Sequence, residues 1–280
     1  MKLALRDRTL DLAEPVVMGV LNVTPDSFSD GGLHTSVEAA IARAERMAEE
    51  GAAIVDVGGE STRPGAEPVS AEEEIRRVVP VIERLVGRIR ASISVDTSKP
   101  EVIRAAVAAG ASMVNDVRAL RLPGALAAAA GSGAAVCLMH MQGEPATMQD
   151  QPRYADVVAE VRGFLAARVA ACAAAGIPRE RICVDPGIGF GKTAGHNLAL
   201  LAKLADLGVD GLPVLIGVSR KALVGIITGR APGDRLAGSV ALAALAVAYG
   251  ASIVRAHDVA ATLDAVRVGS ALRRAGTGGA

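Results

Sequence analysis

Eight short apolar runs in this chain each stop at a polar or charged residue. VVMGVLN ends at Asn22, AAIVD at Asp56, SISVD at Asp96 and SMVND at Asn115 and Asp116. AVCLMH ends at His140 and RICVD at Asp185, while PVLIGVSRK reaches Ser219, Arg220 and Lys221 and ASIVRAH reaches Arg255 and His257. A turn containing Gly, Pro or Ser follows each stop, and then a helical pattern. The runs predict strands near 16–22, 53–57, 92–96, 112–116, 134–139, 181–185, 213–218 and 252–256. They are apolar on both faces, as parallel strands covered by helices should be. Residues 2–14 alternate around Arg6-Asp7-Arg8 and predict a small hairpin ahead of the main fold.

Helix signals lie between the strands. Ser36 is placed to cap a helix running to about Glu50, and Ser70 with Glu73 three positions later reads as a capping box. Pro100 suits a first helical position behind Ser98 or Lys99. Ala155–Ala175 reads as a long helix ended by Gly176 and Pro178, Asp234 as the opening of a helix through Tyr249, and Val259–Ala275 as the last helix. The tail at 276–280 is expected to be disordered. Strand–helix alternation of this kind builds either a closed barrel or a doubly wound open sheet. An open sheet gathers its ligand residues at one switch point. Here polar residues end nearly every strand, which favours an α/β fold of the (β/α)8 TIM-barrel type, with loops converging on one mouth. The connections 23–35, 58–69 and 140–153 are long enough for lids or binding loops.

Composition narrows the picture. No linker-like break divides the 280 residues, so residues 1–280 are expected to form a single domain. Apolar residues make up 51% and aromatic ones 2%, so the core must come from Ala, Val, Leu and Ile. Formal net charge is zero, which argues against a nucleic-acid protein and its basic excess. Cys137, Cys172 and Cys183 form no CxxC and read as buried apolar residues of a reducing compartment. The N-terminus has no apolar signal-peptide core, and the uncharged stretches Leu122–Met139 and Leu236–Val254 are broken by Gly, so they read as helix–turn–strand pieces. A cytoplasmic protein without a membrane partner is expected.

Candidate chemistry sits at the strand ends. The loop Asn22-Val23-Thr24-Pro25-Asp26-Ser27-Phe28-Ser29-Asp30-Gly31-Gly32 is rich in oxygen ligands; it suits either a metal–phosphate group or a self-capped turn. In Asp56-Val57-Gly58-Gly59-Glu60-Ser61-Thr62-Arg63-Pro64-Gly65 the glycines admit a ligand to the backbone and Arg63 offers a fork for phosphate. Asp96, Asn115 and Asp185 end three strands. Each alone would cap a helix, but together with Lys221 they suit a guanidine-like heterocycle edge. Arg255 and His257 follow the eighth strand, where such barrels often bind phosphate. The P-loop, the dinucleotide fingerprint, zinc-ligand spacings and a nucleophile elbow are all absent from the sequence, and an oxygen-rich site with few protein ligands fits Mg²⁺ held mainly by substrate phosphate. His140, within MHMQG, has no assigned role.

The segments MGVLNVTPDSFSDGG, DVGGESTRPGA, SVDTSKPEV, VNDVRAL, LMHMQGEPATMQ, DPGIGFGK, GVSRK and RAHDV resemble those of the dihydropteroate synthases of the folate pathway, in family order across residues 18–258. The resemblance implies a TIM barrel that condenses (7,8-dihydropterin-6-yl)methyl diphosphate with 4-aminobenzoate, giving 7,8-dihydropteroate and diphosphate, with sulfonamides competing for the aminobenzoate site. It also implies residue roles. Asn22 looks like the Mg²⁺ ligand. Thr62, Asp96, Asn115, Asp185 and Lys221 look like the dihydropterin set, and Arg63, Arg255 and His257 like diphosphate ligands. Ser219, with Phe190 and Pro64, looks like the aminobenzoate side. Ala222 and Ala256 depart from the Ser and Val of many relatives without removing a charged ligand. The implied mechanism is dissociative: diphosphate leaves, a pterin methyl cation forms and the aniline nitrogen attacks it. Relatives are commonly homodimers joined through C-terminal barrel helices. A pterin-dependent methyltransferase and a non-catalytic pterin-binding paralogue are the rival readings. The two long loops argue against the first, and intact Asn22, Arg63, Asp96, Asp185, Lys221 and Arg255 against the second.

Overall fold

The computed structural model describes residues 1–24, 32–61, 67–144 and 147–277. Two short strands, β1 (Lys2–Ala4) and β2 (Thr9–Asp11), pair antiparallel as the alternating N-terminus predicts. Eight parallel strands follow: β3 (Val16–Asn22), β4 (Ile54–Gly58), β5 (Ser92–Asp96), β6 (Met113–Asp116), β7 (Ala135–Met139), β8 (Ile182–Asp185), β9 (Leu215–Gly217) and β10 (Ile253–Ala256). Their spatial order is β8-β7-β6-β5-β4-β3-β10-β9, so sequence neighbours pair throughout and β10 returns to lie beside β3. The ring closes between β8 and β9 through one parallel bridge, Val184 with Val214. Pro213 has no N–H to extend that ladder. The seventh barrel strand is three residues long, shorter than the apolar run predicts.

Helices cover the outside: α1 (Gly32–Glu49), α2 (Ala71–Leu85), α3 (Pro100–Ala109), α4 (Ala125–Ser132), α5 (Val157–Ala174), α6 (Ala194–Ala202), α7 (Ala222–Thr228), α8 (Leu236–Ala248) and α9 (Val259–Thr277). Pro100 stands at the start of α3 behind Lys99, and the Asp156 carboxylate caps α5 by accepting from Val158 and Ala159. Three local expectations give way. Helix α1 begins at Gly32, so Ser36 lies inside it. The Ser70 hydroxyl does accept from the Glu73 N–H, but the Glu73 carboxylate turns to Arg76 and Arg77 instead of completing a capping box. Asp234 sits in a 3₁₀ turn and bonds Arg230 at 2.8 Å, leaving α8 to open at Leu236. The last helix runs through Thr277, beyond the expected start of a disordered tail, and residues 278–280 lie outside the described residues.

Apolar residues divide between two layers. Outward-facing strand residues such as Val17, Val55, Val95 and Val136 pack with the helices into the larger core. Inside the barrel, Met18, Ile54, Met113, Cys137, Cys183, Leu215 and Ile253 form a second core, and Leu3, Leu5 and Leu12 of the hairpin pack into its lower end. Polar bonds secure this plug: Arg8 reaches Ser92 Oγ at 2.9 Å and the Ala53 carbonyl at 3.1 Å. All three cysteines are free and buried. The two long uncharged stretches are α4 with β7 and α8 with β10, and no helix among the described residues is long and apolar enough to cross a membrane. With the lower end sealed by leucines, ligands are left the other end, where the strands stop.

Leu3 is fully buried against the barrel interior. Leu3→Ala is expected to lower the unfolding free energy by about 2–5 kcal/mol, the range for a truncated core leucine. Urea unfolding checks this, and an unchanged midpoint would show that the hairpin is not part of the core.

Candidate active site

Parallel pairing puts strand ends level with one another. Asn22 of β3 pairs with Gly58 of β4, Gly58 with Asp96 of β5, and Asp96 with Asn115 of β6. Three of the polar residues read from separate segments therefore form one row across four neighbouring strands. Gly58 stands in the middle of that row: a Cβ there would lie 3.8 Å from both Asn22 Oδ1 and Asp96 Oδ2, in ordinary contact with each. Across the ring, Asp185 of β8 pairs with Met139 of β7, and Arg255 of β10 pairs with Gly217 of β9.

Arg255 ties the two sides together. Its Nε donates to Asp56 Oδ2 and its Nη2 to Asp96 Oδ2, each at 2.7 Å. Asp56 is fully buried two residues before the end of β4, and its Oδ2 also accepts from the Asn115 amide at 2.9 Å. Burial works against the guanidinium charge, but Asp56 and then Asp96 outweigh it and hold the Arg255 pKa above its ordinary value. Burial has the opposite sign for an acid: it pushes Asp96 up to about 7, against the pull of Arg255 and with the repulsion of Asp56. Arg255 thus joins the residues assigned to the pterin as well as those assigned to the diphosphate. A guanidinium carries five N–H donors, so two carboxylates do not exhaust it.

Asp185 is buried, accepts from the Gly187 N–H at 2.7 Å, and has its pKa raised by burial against the nearby Lys221 charge. Lys221 precedes α7. Its ammonium donates to the Ile188 carbonyl and stands 4.8 Å from the centroid of the Phe190 ring. Burial draws its pKa down to about 8, opposed by Asp185. Ser219 and His257 meet directly, with Oγ 3.0 Å from Nδ1 and the His257 N–H donating to the same hydroxyl at 3.2 Å. The residue read as the aminobenzoate side and the one read as a diphosphate ligand therefore touch. Thr62, Arg63, Pro64 and most of the first loop (25–31) lie outside the described residues.

Several site residues escape the sequence reading. Asp56 is a strand residue one layer below the mouth, and it holds Arg255 and Asn115. Asp116 also ends an apolar run, yet it stands apart from this network. It accepts from Ser98 Oγ, the Arg118 N–H and the Leu120 N–H, which fixes the turn after β6. Lys99 bridges Glu60 at 2.6 Å and the fully buried Glu74 at 2.5 Å, securing the base of the second loop. Lys192 is buried against His140.

A cleft edged by buried carboxylates, one amide and two cations suits a polar heterocycle carrying an anionic tail. Comparison with known proteins agrees. The model of the pterin binding enzyme family matches residues 18–257. The chain belongs to that family. Within it, the chain is similar to dihydropteroate synthase of Escherichia coli K12, at 54% identity over 268 residues covering 96% of this chain and 95% of the relative. Among solved structures it resembles a Xanthomonas albilineans dihydropteroate synthase with 4-aminobenzoic acid, with TM-score 0.91, 57% identity and coverage of 97% of this chain and 98% of that one. It is also similar to the same organism's enzyme in complex with 7,8-dihydropteroate, with TM-score 0.88, 54% identity and coverage of 98% and 99%. High identity to dihydropteroate synthases over nearly the whole length makes the chain a transferase of folate biosynthesis.

Removing Asp56 leaves a largely buried guanidinium with one carboxylate fewer. Asp56→Ala is expected to destabilise the protein by about 3–5 kcal/mol, the range for breaking a buried pair on one side. Chemical denaturation measures it, and a loss below about 1 kcal/mol, the worth of an exposed pair, would show that solvent screens the cluster.

Proposed function

We propose that the barrel mouth joins (7,8-dihydropterin-6-yl)methyl diphosphate to 4-aminobenzoate, forming 7,8-dihydropteroate and diphosphate. The observation that carries this reading is the buried network of Arg255, Asp56, Asp96 and Asn115, with Asp185 and Lys221 across the cleft. Asp96, Asn115 and Asp185 accept from the N–H edge of the pterin and orient it, and Lys221 donates to it. Arg255 and His257, with Arg63 from the second loop, bind the diphosphate and stabilise the charge it gains as the methylene C–O bond breaks. The aniline nitrogen then forms the C–N bond and releases its proton to solvent. Such a nitrogen is a weak base and attacks without prior deprotonation, so these residues act by charge stabilisation and alignment. Alignment alone can contribute roughly 7–11 kcal/mol.

A resident Mg²⁺ fits this mouth on donor chemistry. Among the described residues no group of three or more His, Cys, Asp and Glu side chains is placed to hold a metal. Asn22 offers a single amide oxygen beside Asp96. One neutral ligand suits an ion that takes its other ligands from substrate oxygens and water. When bound, Mg²⁺ would neutralise part of the leaving-group charge.

A homodimer through α8 and α9 is supported by their exposed apolar side chains, Leu245 and Tyr249 at one i,i+4 spacing and Val268 and Leu272 at another. Free buried thiols support a cytoplasmic location. Leu272→Glu is expected to shift the protein from dimer to monomer in sedimentation velocity; a parent that is already monomeric would refute the dimer.

The reaction is tested by mixing protein, Mg²⁺ and both substrates and measuring diphosphate. Release that requires 4-aminobenzoate is expected, and none at saturation would favour a binding protein without turnover. Asp185→Ala is expected to weaken pterin binding by about 1.5–3 kcal/mol in calorimetry, the worth of a charge-assisted bond; unchanged affinity would remove Asp185 from the pterin set. Two titrations shape the rate. As pH falls through about 7, Asp96 takes up a proton and loses its negative charge. As pH rises through about 8, Lys221 loses its proton and its positive charge. A bell-shaped kcat/KM with limbs near these values is expected, and a profile flat from about pH 6 to about pH 9 would contradict both roles.

A further inference from the structure

Lys192 is a lysine with almost no access to water, 3% exposed, and it stands outside the groups that bind either substrate. Its ammonium lies 2.9 Å from His140 Nδ1, 2.9 Å from the Phe190 carbonyl and 3.3 Å from the His140 carbonyl. Three acceptors match the three protons of an ammonium group. With Lys192 protonated, that match leaves Nδ1 of His140 without a proton and puts the ring proton on Nε2; burial draws the Lys192 pKa down to about 7, against the pull of Asp185. A neutral ring agrees with its surroundings: burial first, and then the Lys192 charge, pull the His140 pKa down to about 3. The imidazole is itself wedged edge-on against Phe164, with centroids 4.9 Å apart, so its Nδ1 is held in place.

The turn that carries Lys192 is seated on the end of β7 with no room to rise or tilt. Gly187 and Gly191 both adopt positive φ, at 69° and 60°. A Cβ on Gly187 would fall 1.9 Å from the His140 carbonyl oxygen, and one on Gly191 would fall 2.4 Å from that of Gln142. Backbone therefore lies against backbone along the turn. Gln149 Nε2 donates to the Gly189 carbonyl at 2.6 Å, Tyr154 OH to the Gly191 carbonyl at 2.8 Å, and the Gly189 N–H to Asn197 Oδ1 at 2.8 Å. The turn supplies the mouth with Phe190, which packs against Val117, Met139, Met141 and Met148, and with the Ile188 carbonyl that holds Lys221.

We infer that the contact between Lys192 and His140 is a positioning device, fixing the 187–192 turn so that Phe190 stands at the right height for the incoming amine. Lys192 and His140 act through Phe190 and do not touch substrate. The inference rests on the reading of Phe190 as a wall of the aminobenzoate side. It explains why a histidine follows β7, and why the sequence spends a buried lysine on a glycine-rich turn.

Two variants at His140 test it with Lys192 left in place. His140→Leu keeps a side chain of similar bulk and removes the acceptor; His140→Asn restores an acceptor near the position of Nδ1. Steady-state diphosphate release is measured with each substrate varied. His140→Leu is expected to raise KM for 4-aminobenzoate about tenfold, as for a buried donor left unpaired, while KM for the dihydropterin diphosphate changes less than about twofold. His140→Asn is expected to recover most of that loss. An unchanged KM in His140→Leu, or a His140→Asn variant no better than His140→Leu, would overturn the inference. A second readout needs no activity: trypsin cuts after lysine, and cleavage after Lys192, followed by mass spectrometry, should be faster in His140→Leu than in the parent and His140→Asn proteins. Equal cleavage in all three would likewise overturn it. If the parent releases no diphosphate, the reaction reading fails, and cleavage after Lys192 still decides whether His140 holds the turn.

Discussion

The guanidinium of Arg255 is the charge around which the mouth is organised. A buried cation is tolerated only when it is paired and hydrogen-bonded. Here the partners come from β4 and β5, 199 and 159 residues earlier in the chain. The barrel is what brings them together: β10 pairs with β3, and from there the Arg255 side chain reaches the carboxylates of β4 and β5. The dependence runs both ways. Without the ring there is no carboxylate pair for Arg255, and without Arg255 the two carboxylates would face each other inside a low-dielectric cleft. Asn115 is drawn into the same cluster by its bond to Asp56, so a residue on a fourth strand is oriented by the same charge balance.

This balance explains why the titrations at the mouth move in opposite directions. Desolvation favours the neutral form of every group, raising acids and lowering bases. Asp96 rises to about 7 and Lys221 falls to about 8, while Arg255 is held charged by its two partners. The mouth therefore keeps one firmly held cation, Arg255, with Asp96 and Lys221 drawn toward neutral pH on either side of it. In the proposed reaction a pterin edge would bring donors to the acids and a diphosphate tail negative charge to the bases.

How much of this was legible in the sequence depends on how far apart the partners lie. Strand ends were legible because a buried parallel strand is apolar throughout and must stop where the chain meets solvent and ligand; Asn22, Asp96, Asn115 and Asp185 all fall at such stops. Asp56 ends an apolar run too, yet the strand continues to Gly58, and Asp56 lies one layer deeper. Only the register across β3, β4 and β5 separates a mouth residue from the residue that supports it. The contact of Lys192 with His140 was hidden for another reason. Two of its three acceptors are backbone carbonyls, which carry no sequence signal. Local capping patterns were the least reliable guide, since Glu73 and Asp234 found arginines nearby and took them in place of a helix end.

Lysines at the mouth divide in a way that follows from their placement. Lys221 sits before a helix with its ammonium over an aromatic ring and near Asp185, where a ligand can compete for it. Lys192 donates to three acceptors already inside the protein, and a ligand has nothing to displace without breaking a buried bond. Lys99 lies between two carboxylates at the base of the second loop. The same side chain thus serves as a ligand donor, a turn fastener and a loop anchor. What decides among them is whether the ammonium is satisfied before the substrate arrives. By that criterion Lys221 keeps the freedom to answer a ligand, while Lys192 and Lys99 keep the mouth in shape for it.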